Sequence, residues 1–335
     1  MFNSKFLLYM VKQDDNYLNV ASNLVNLLKS DDNLMLTLKN RAKNFKELLT
    51  RGHTTYNILN QEFKGDLISE ACFCILTANF RADKAVLMQK ELTENDCFNF
   101  DKVRIEQVLK KYGHRFAKQR ADRIVKLREK FELFRAINKQ VLEINKEFLP
   151  IFREYIANKI DTTAIQNARQ NKQSKGNDFS SILEKTYKLR NILVENIDGY
   201  GLKEASHFLR NIGLLNVSII DRHIFRFLTN NNLLNMTNYK QKKKNNNLKN
   251  KREPKEQPKI TITKTLYKKA EIILLKLAIL VNQQLILMSK SRRLKNSNKY
   301  NIYDTPLNRG YYSFVITPAL LDLILFYNQT GQILK

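Results

Sequence analysis

Apolar residues recur three and four positions apart through most of the first 130 positions of this 335-residue chain. The stretches "YLNVASNLVNLLKS", "NLMLTLKNRAKNFKELL", "DLISEACFCILTANF", "RADKAVLMQKEL", "FDKVRIEQVLKKYG" and "RFAKQRADRIVKLREK" each carry such a stripe, the pattern that turns one side of an α-helix toward a core. Asn or Asp precedes several of them, as N-caps require. No alternating run long enough to specify a sheet interrupts them. From about 135 to 178 the pattern changes. "FREYIANKIDTTAIQNARQNKQSKGNDFS" ends in a Lys/Asn/Gln-rich run with few apolar anchors, which reads as an insertion, partly flexible. Helical patterning resumes at "SILEKTYKLRNILVENI", "LKEASHFLR" and "DRHIFRFLT". The segment 239–259, "YKQKKKNNNLKNKREPKEQPK", almost lacks apolar residues and reads as a solvated linker. An apolar helix, "TLYKKAEIILLKLAILV", follows, then a loop-like insertion near 285–314, then a closing helix that stops at Gly331, a good C-cap.

Composition agrees with a helical chain: nine glycines and five prolines are too few for a turn-rich all-β architecture. Charge adds more. Lys and Arg total 58 against 32 acidic residues, a formal +26, which calls for a polyanionic partner, nucleic acid first. AT-rich coding, which inflates Lys, Asn and Ile together, and an anionic lipid surface are the competing sources of that surplus. Cys72, Cys74 and Cys97 are too few for a disulfide framework or a four-cysteine metal site, and no other metal-ligand cluster stands out. The opening fifteen residues lack the long apolar core and small-residue cleavage site of a signal peptide. In "EIILLKLAILVNQQLILM" (271–288), Lys276, Asn282, Gln283 and Gln284 break the apolar run, leaving it short of the ~20 residues that span a bilayer. It reads as a core helix, and the protein is expected in the cytoplasm, without a membrane partner.

The most informative stretch is 195–213, "ENIDGYGLKEASHFLRNIG". Gly199 and Gly201 flank a tyrosine in a turn that must bend sharply and approach something closely. The helix that follows begins with unpaired N–H groups and positive dipole, an anion site suited to a DNA phosphate, although the spacing alone equally fits a generic helical hairpin. Lys203 falls in the first turn of that helix, where the dipole disfavours a cation. Such a position favours the neutral amine that attacks a sugar carbon and forms a Schiff base. Eighteen residues on, Asp221 opens the next helical run. It stands where an N-cap stands, and also where a carboxylate could stabilise positive charge on a sugar.

Together these features resemble the helix–hairpin–helix superfamily of DNA glycosylases. The blocks "SEACFCILTANFRADKAV", "YGHRFAKQRADRIVKLR", "GYGLKEASHFLRNIG", "DRHIFRFL" and "LDLILFYNQTGQILK", in that order from about 65 to the last residue, are similar to the archaeal-type (second-class) 8-oxoguanine DNA glycosylase/AP lyases. The resemblance implies an all-α fold of two helical subdomains flanking a DNA-binding cleft. Its expected divisions are an N-terminal helical region (1–134), the insertion (135–178), the helix–hairpin–helix catalytic region (179–238), the linker (239–260) and C-terminal helices with a lesion-recognition tail (261–335). It implies excision of 8-oxoguanine from double-stranded DNA and strand nicking 3′ to the abasic site, by a monomer needing no metal or organic cofactor. Lys203 falls on the Schiff-base nucleophile and Asp221 on the catalytic aspartate. Gly199, Gly201 and His223 are implied in phosphate binding, and Asn79 and Arg81 in contacting the orphaned base. Asn79 is alternatively a helix C-cap, and His207, on the face of Lys203, is as readily a structural residue. The carboxylate of Lys335 is implied in recognising the oxidised base, because 8-oxoguanine carries a donor where guanine N7 is an acceptor. Phe326, where the family usually has tryptophan, would stack on the flipped base, and Gln329 replaces the usual glutamate. A DNA-binding hairpin protein without activity, or a glycosylase for another lesion, would share the hairpin and the charge.

Overall fold

In the computed structural model, which describes residues 15–94, 101–158, 179–234, 262–293 and 315–333, each of the apolar stripes forms a helix. The carboxylate of Asp31 accepts the Leu34 amide at 2.8 Å and so separates α1 (Asp15–Ser30) from α2 (Asp32–Arg51). Further along come α3 (Leu67–Thr77), α4 (Ala82–Glu94), α5 (Lys102–Lys111) and α6 (Ala117–Leu127).

Between α2 and α3 the chain departs from the helical expectation. β1 (His53–Ile58) and β2 (Gln61–Asp66) form an antiparallel hairpin with His53 opposite Asp66 and Ile58 opposite Gln61. Thr54, Tyr56 and Ile58 face inward from β1, and Phe63 and Gly65 from β2. Two or three inward residues per strand are too short an alternation to stand out from helical patterning. The turn residues Leu59 and Asn60 have φ of 55° and 56°, the left-handed pair of a type I′ turn, without the Asn-Gly that usually announces one. A Cβ at Gly65 would lie 2.5 Å from the Tyr56 ring, so that position accepts only glycine.

The insertion expected from 135 is also corrected. α7 runs unbroken from Phe131 to Asn158 and buries Phe134, Ile137, Val141, Ile144, Phe148, Phe152 and Ile156, a stripe at helical spacing. Pro150 lies inside this helix; it removes one amide donor while the apolar stripe carries the helix past it. Only 159–178 of the expected insertion remain outside helices already described, and they lie beyond the described residues, as does the linker (239–260).

α8 (Phe179–Asn196), α9 (Leu202–Asn211) and α10 (Arg222–Asn230) follow, then α11 (Lys264–Arg293) and α12 (Pro318–Thr330). α11 continues past the expected insertion boundary at 285: Leu285 is buried and Gln284 Nε2 donates to the Leu18 carbonyl at 3.2 Å. Among the described residues α11 is the one helix long and apolar enough to cross a membrane, and α1, α7 and α12 bury most of its apolar surface. Lys276, which interrupts that surface, lies over the Tyr17 ring at 4.1 Å. On the other side of the core, α3 packs against α4, α6 and α9, with Cys72 and Cys74 fully buried. α9 thus bridges to α3 on one side and α8 on the other, which fixes the hairpin leading into it.

Candidate active site

The turn between α8 and α9 is fastened from below. Ile197 and Tyr200 are buried, and the Tyr200 hydroxyl donates to the Ala71 carbonyl of α3 at 2.9 Å. Gly199 has φ of 89°, and a Cβ there would lie 2.6 Å from the Arg123 guanidinium of α6. Glycine is therefore favoured by the left-handed backbone, and any side chain there would also have to displace the Arg123 guanidinium. Gly201 is the N-cap of α9, and its N–H donates to Glu204 Oε2 at 3.1 Å. Lys203 follows, half-buried in the first turn, and among the described residues no hydrogen bond or ion pair holds it.

Residues 213–221, which lead from α9 to Asp221, have no regular structure, yet side chains from four helices pin them. Asn145 of α7 donates to the Gly213 carbonyl (2.7 Å) and accepts the Leu215 amide (3.0 Å). Asn216 donates to Thr186 of α8 at 2.8 Å. The Ile219 amide donates to Asp322 of α12 at 2.7 Å, and the Ile220 amide to the Tyr267 hydroxyl of α11 at 3.1 Å. Asp221 then caps α10: its Oδ1 accepts the amides of His223 (2.8 Å) and Ile224 (2.9 Å). Among the described residues Oδ2 takes no hydrogen bond. The cap thus leaves the second carboxylate oxygen of Asp221 uncommitted among the described residues.

His223 and Phe326 meet edge to face, with ring centroids 5.6 Å apart, and Phe326 is partly exposed. Asn79 lies on the turn after α3. It follows the C-cap Ala78, is exposed, and has φ of 57°, a conformation asparagine tolerates better than most residues. That turn is braced from α6 and its approach: Arg120 donates to the Ala78 carbonyl at 3.1 Å, and His114, stacked on Phe80 at 4.4 Å, contacts the Leu76 carbonyl. Burial holds the His114 imidazole below its ordinary pKa. Arg81 is exposed and engaged with Asp83 through Nε at 3.0 Å and Nη2 at 2.6 Å, so reaching DNA would mean leaving that partner. His207 is buried against Phe73, ring centroids 5.4 Å apart. Lys335 lies outside the described residues.

Sequence reasoning passed over the side chains that hold Asp221's approach. Asp322 is a lone carboxylate in the apolar run "PALLDLILF", and such an isolated charge is itself a sign of a buried partner. It pairs with Arg210 of α9 at 2.9 Å, both buried. Burial raises the Asp322 carboxyl to about 6, against the opposing pull of Arg210 and the Ile219 amide. Arg190 of α8 and Glu271 of α11 form a second buried ion pair beside Tyr267.

These features fit one family. A family model for 8-oxoguanine DNA glycosylase matches residues 49–170 and 161–253. An 8-oxoguanine DNA glycosylase/AP lyase of Aquifex aeolicus is 36% identical over 197 residues, 58% of this chain and 71% of the relative. One from Methanocaldococcus jannaschii is 35% identical over 181 residues, 52% of this chain and 66% of the relative. The fold is similar to the crystal structure of the M. jannaschii 8-oxoguanine DNA glycosylase, with TM-score 0.53 and 25% identity over 94% of this chain and 96% of that one. It is also similar to that of the Thermotoga maritima enzyme, with TM-score 0.54 and 21% identity over 95% and 100% of the two chains. This chain belongs to the 8-oxoguanine DNA glycosylase family.

Proposed function

We propose that this protein excises 8-oxoguanine from double-stranded DNA and nicks the strand, with Lys203 as nucleophile and Asp221 as its electrostatic partner. The observation that carries the reading is a contrast within one hairpin. A half-buried lysine without a partner among the described residues opens α9, and an aspartate with one uncommitted oxygen opens α10. The neutral Lys203 amine attacks C1′ of the flipped nucleotide. The C1′–N9 bond breaks, and its electron pair leaves with the base, which takes up a proton. The carboxylate of Asp221 stabilises positive charge on the sugar as that bond lengthens. The resulting N,O-acetal opens as the C1′–O4′ bond breaks and O4′ takes up a proton, leaving a Schiff base between Lys203 and C1′. Loss of a C2′ proton then expels the 3′ phosphate, and water hydrolyses the imine to regenerate the lysine.

The same reading assigns the hairpin of Gly199 and Gly201, with Arg123 beside it, to a backbone phosphate. Phe326 is the stacking platform for the flipped base, with His223 against its edge. Asn79 and Arg81 enter the gap the base leaves, and the Lys335 carboxylate reads the oxidised base. The working unit is a monomer in the cytoplasm. Borohydride with a labelled 8-oxoguanine duplex tests the core of this proposal. Wild-type protein should yield a covalent complex, and Lys203→Gln should bind the duplex without yielding one. Wild-type protein that binds the duplex but is never trapped would overturn it. A panel of other oxidised purines and abasic duplexes, assayed in competition, establishes the preferred lesion.

A further inference from the structure

Backbone amides without a strand or helix partner must find one when buried. The extended residues just before Asp221 find theirs on side chains. Ile219 N donates to Asp322 Oδ2 at 2.7 Å and Ile220 N to the Tyr267 hydroxyl at 3.1 Å. That hydroxyl reaches the Ser218 carbonyl at 3.3 Å, and Ser218 Oγ donates to the Pro318 carbonyl at 2.9 Å. Three consecutive residues are thereby fixed from α11 on one side and α12 on the other.

The two anchors are themselves held. Arg210 fastens Asp322 at 2.9 Å and contacts Asn211 Oδ1 at 3.1 Å. Asn211 donates to Glu70 Oε2 at 2.9 Å, and Glu70 Oε1 accepts from Tyr56 at 2.9 Å and Gln89 at 3.0 Å. On the other side the Arg190 guanidinium lies 5.0 Å from the Tyr267 ring centroid and is paired with Glu271. All of these side chains are buried. Buried ion pairs are a poor source of stability, since desolvation consumes most of what the charges gain. Their convergence on one three-residue segment calls for another account, and placement supplies it. A shift of the order of 1 Å in a reacting group is costly in rate.

We propose that Tyr267 and Asp322 are positioning residues for Asp221, fixing through the Ile219 and Ile220 amides where its carboxylate stands. The proposal rests on Asp221 being the carboxylate that serves the sugar, and the experiment separates the two claims. Tyr267→Phe, which keeps the ring against Arg190, and Asp322→Asn are assayed for single-turnover excision on an 8-oxoguanine duplex. Duplex affinity and thermal melting are measured alongside. Each variant is repeated in an Asp221→Asn background, with incubation long enough to read slow turnover. Excision should fall on the order of tenfold in Tyr267→Phe and more in Asp322→Asn, with affinity held within about twofold. In the Asp221→Asn background both effects should vanish, because there is no carboxylate left to place. Wild-type rates in both variants, a loss of affinity matching the loss of rate, or full additivity with Asp221→Asn would each overturn the positioning role. A native rate in Asp221→Asn alone would instead overturn the reading of Asp221 itself.

Discussion

Lys203 and Asp221 open consecutive helices and are held in opposite ways. Lys203 follows a turn whose backbone is fastened by the Tyr200 hydroxyl and the Glu204 carboxylate, but its own side chain has no hydrogen-bond or ion-pair partner among the described residues. Asp221 has its carboxylate tied to two amides and its approach tied to α11 and α12. The difference matches their proposed work. A nucleophile must travel to bond with C1′, stay attached while the strand breaks, and withdraw, so a tether on its amine would have to be broken each turnover. A carboxylate that stabilises charge is most effective when it is already in place and has no reorganisation to undergo.

The largest effects should come from exchanging these conditions. Lys203→Gln should lower excision at least about a thousandfold, while its melting temperature stays near the wild-type value because no hydrogen bond or ion pair among the described residues is lost. Asp221 should behave differently in two variants. Asn caps a helix as well as Asp, so Asp221→Asn should slow excision by about a hundredfold with the fold intact. Asp221→Ala should add a stability loss of about 1 kcal/mol for the missing cap. Single-turnover rates and denaturant melts on the three proteins check the pattern. An equal stability loss in Lys203→Gln would mean that the lysine is braced after all.

Next in size is the hairpin. Gly199→Ala puts a Cβ on a residue with φ of 89° and within 2.6 Å of Arg123. Backbone strain alone costs on the order of 1–3 kcal/mol, and relief would require Arg123 to move. Urea melts should show this loss, and duplex affinity should fall with it. A variant that melts normally would mean that Arg123 swings away at no cost and that Gly199 serves conformation less than assumed.

How much of this could be read from the sequence follows the range of the interactions. The hairpin was legible, because Gly199, Gly201 and Lys203 are neighbours and their chemistry is local. So were the helices with full stripes. The β1–β2 hairpin escaped because its inward residues are few and its turn is Leu59–Asn60. All of α7 after its first four residues reads as insertion in the sequence because the polar run after 158 colours its whole neighbourhood, although Ile137, Val141, Ile144, Phe148 and Phe152 keep helical spacing. The brace on Asp221 was illegible for another reason. Ile219 and Asp322 are 103 positions apart, and Ile220 and Tyr267 47; no local pattern couples them. Only the isolated Asp322 in its apolar run marked the place.

That residue gives a pH test of intermediate size. In the folded protein the Asp322 carboxyl is raised to about 6 from an ordinary 3.8, chiefly by burial, with Arg210 pulling it down and Asp221 adding to the rise. The folded state therefore holds the proton more tightly than the unfolded chain. This group's contribution to stability is most favourable below about pH 4, declines as pH rises through about 6, and is level above. The stability of wild type relative to Asp322→Asn should thus fall on the order of 2 kcal/mol between pH 4 and 7, read from denaturant midpoints. Excision should move the other way, rising through about pH 6 in wild type as the ionised carboxylate takes both Arg210 and the Ile219 amide, and lacking that step in Asp322→Asn. A flat stability difference would mean that Arg210 cancels burial in full.

The smallest effect separates the turn's structure from its charge. Lys126 and Asp198 meet at 2.6 Å in the open, and the hydrogen bond from Lys126 lowers the Asp198 pKa. A pair so exposed is screened by water and adds little to the fold, so Asp198→Asn should leave the melting temperature unchanged. The same carboxylate, however, stands one residue before Gly199, in the turn assigned to a phosphate. Removing its charge also releases Lys126 toward the duplex. Affinity should therefore rise about twofold at low salt, and the gain should fade as salt rises. A fall in affinity would reverse the assignment. Asp198 would then be the residue that holds Lys126 where the phosphate needs it, and that cation would be braced like Asp221 rather than left open like Lys203.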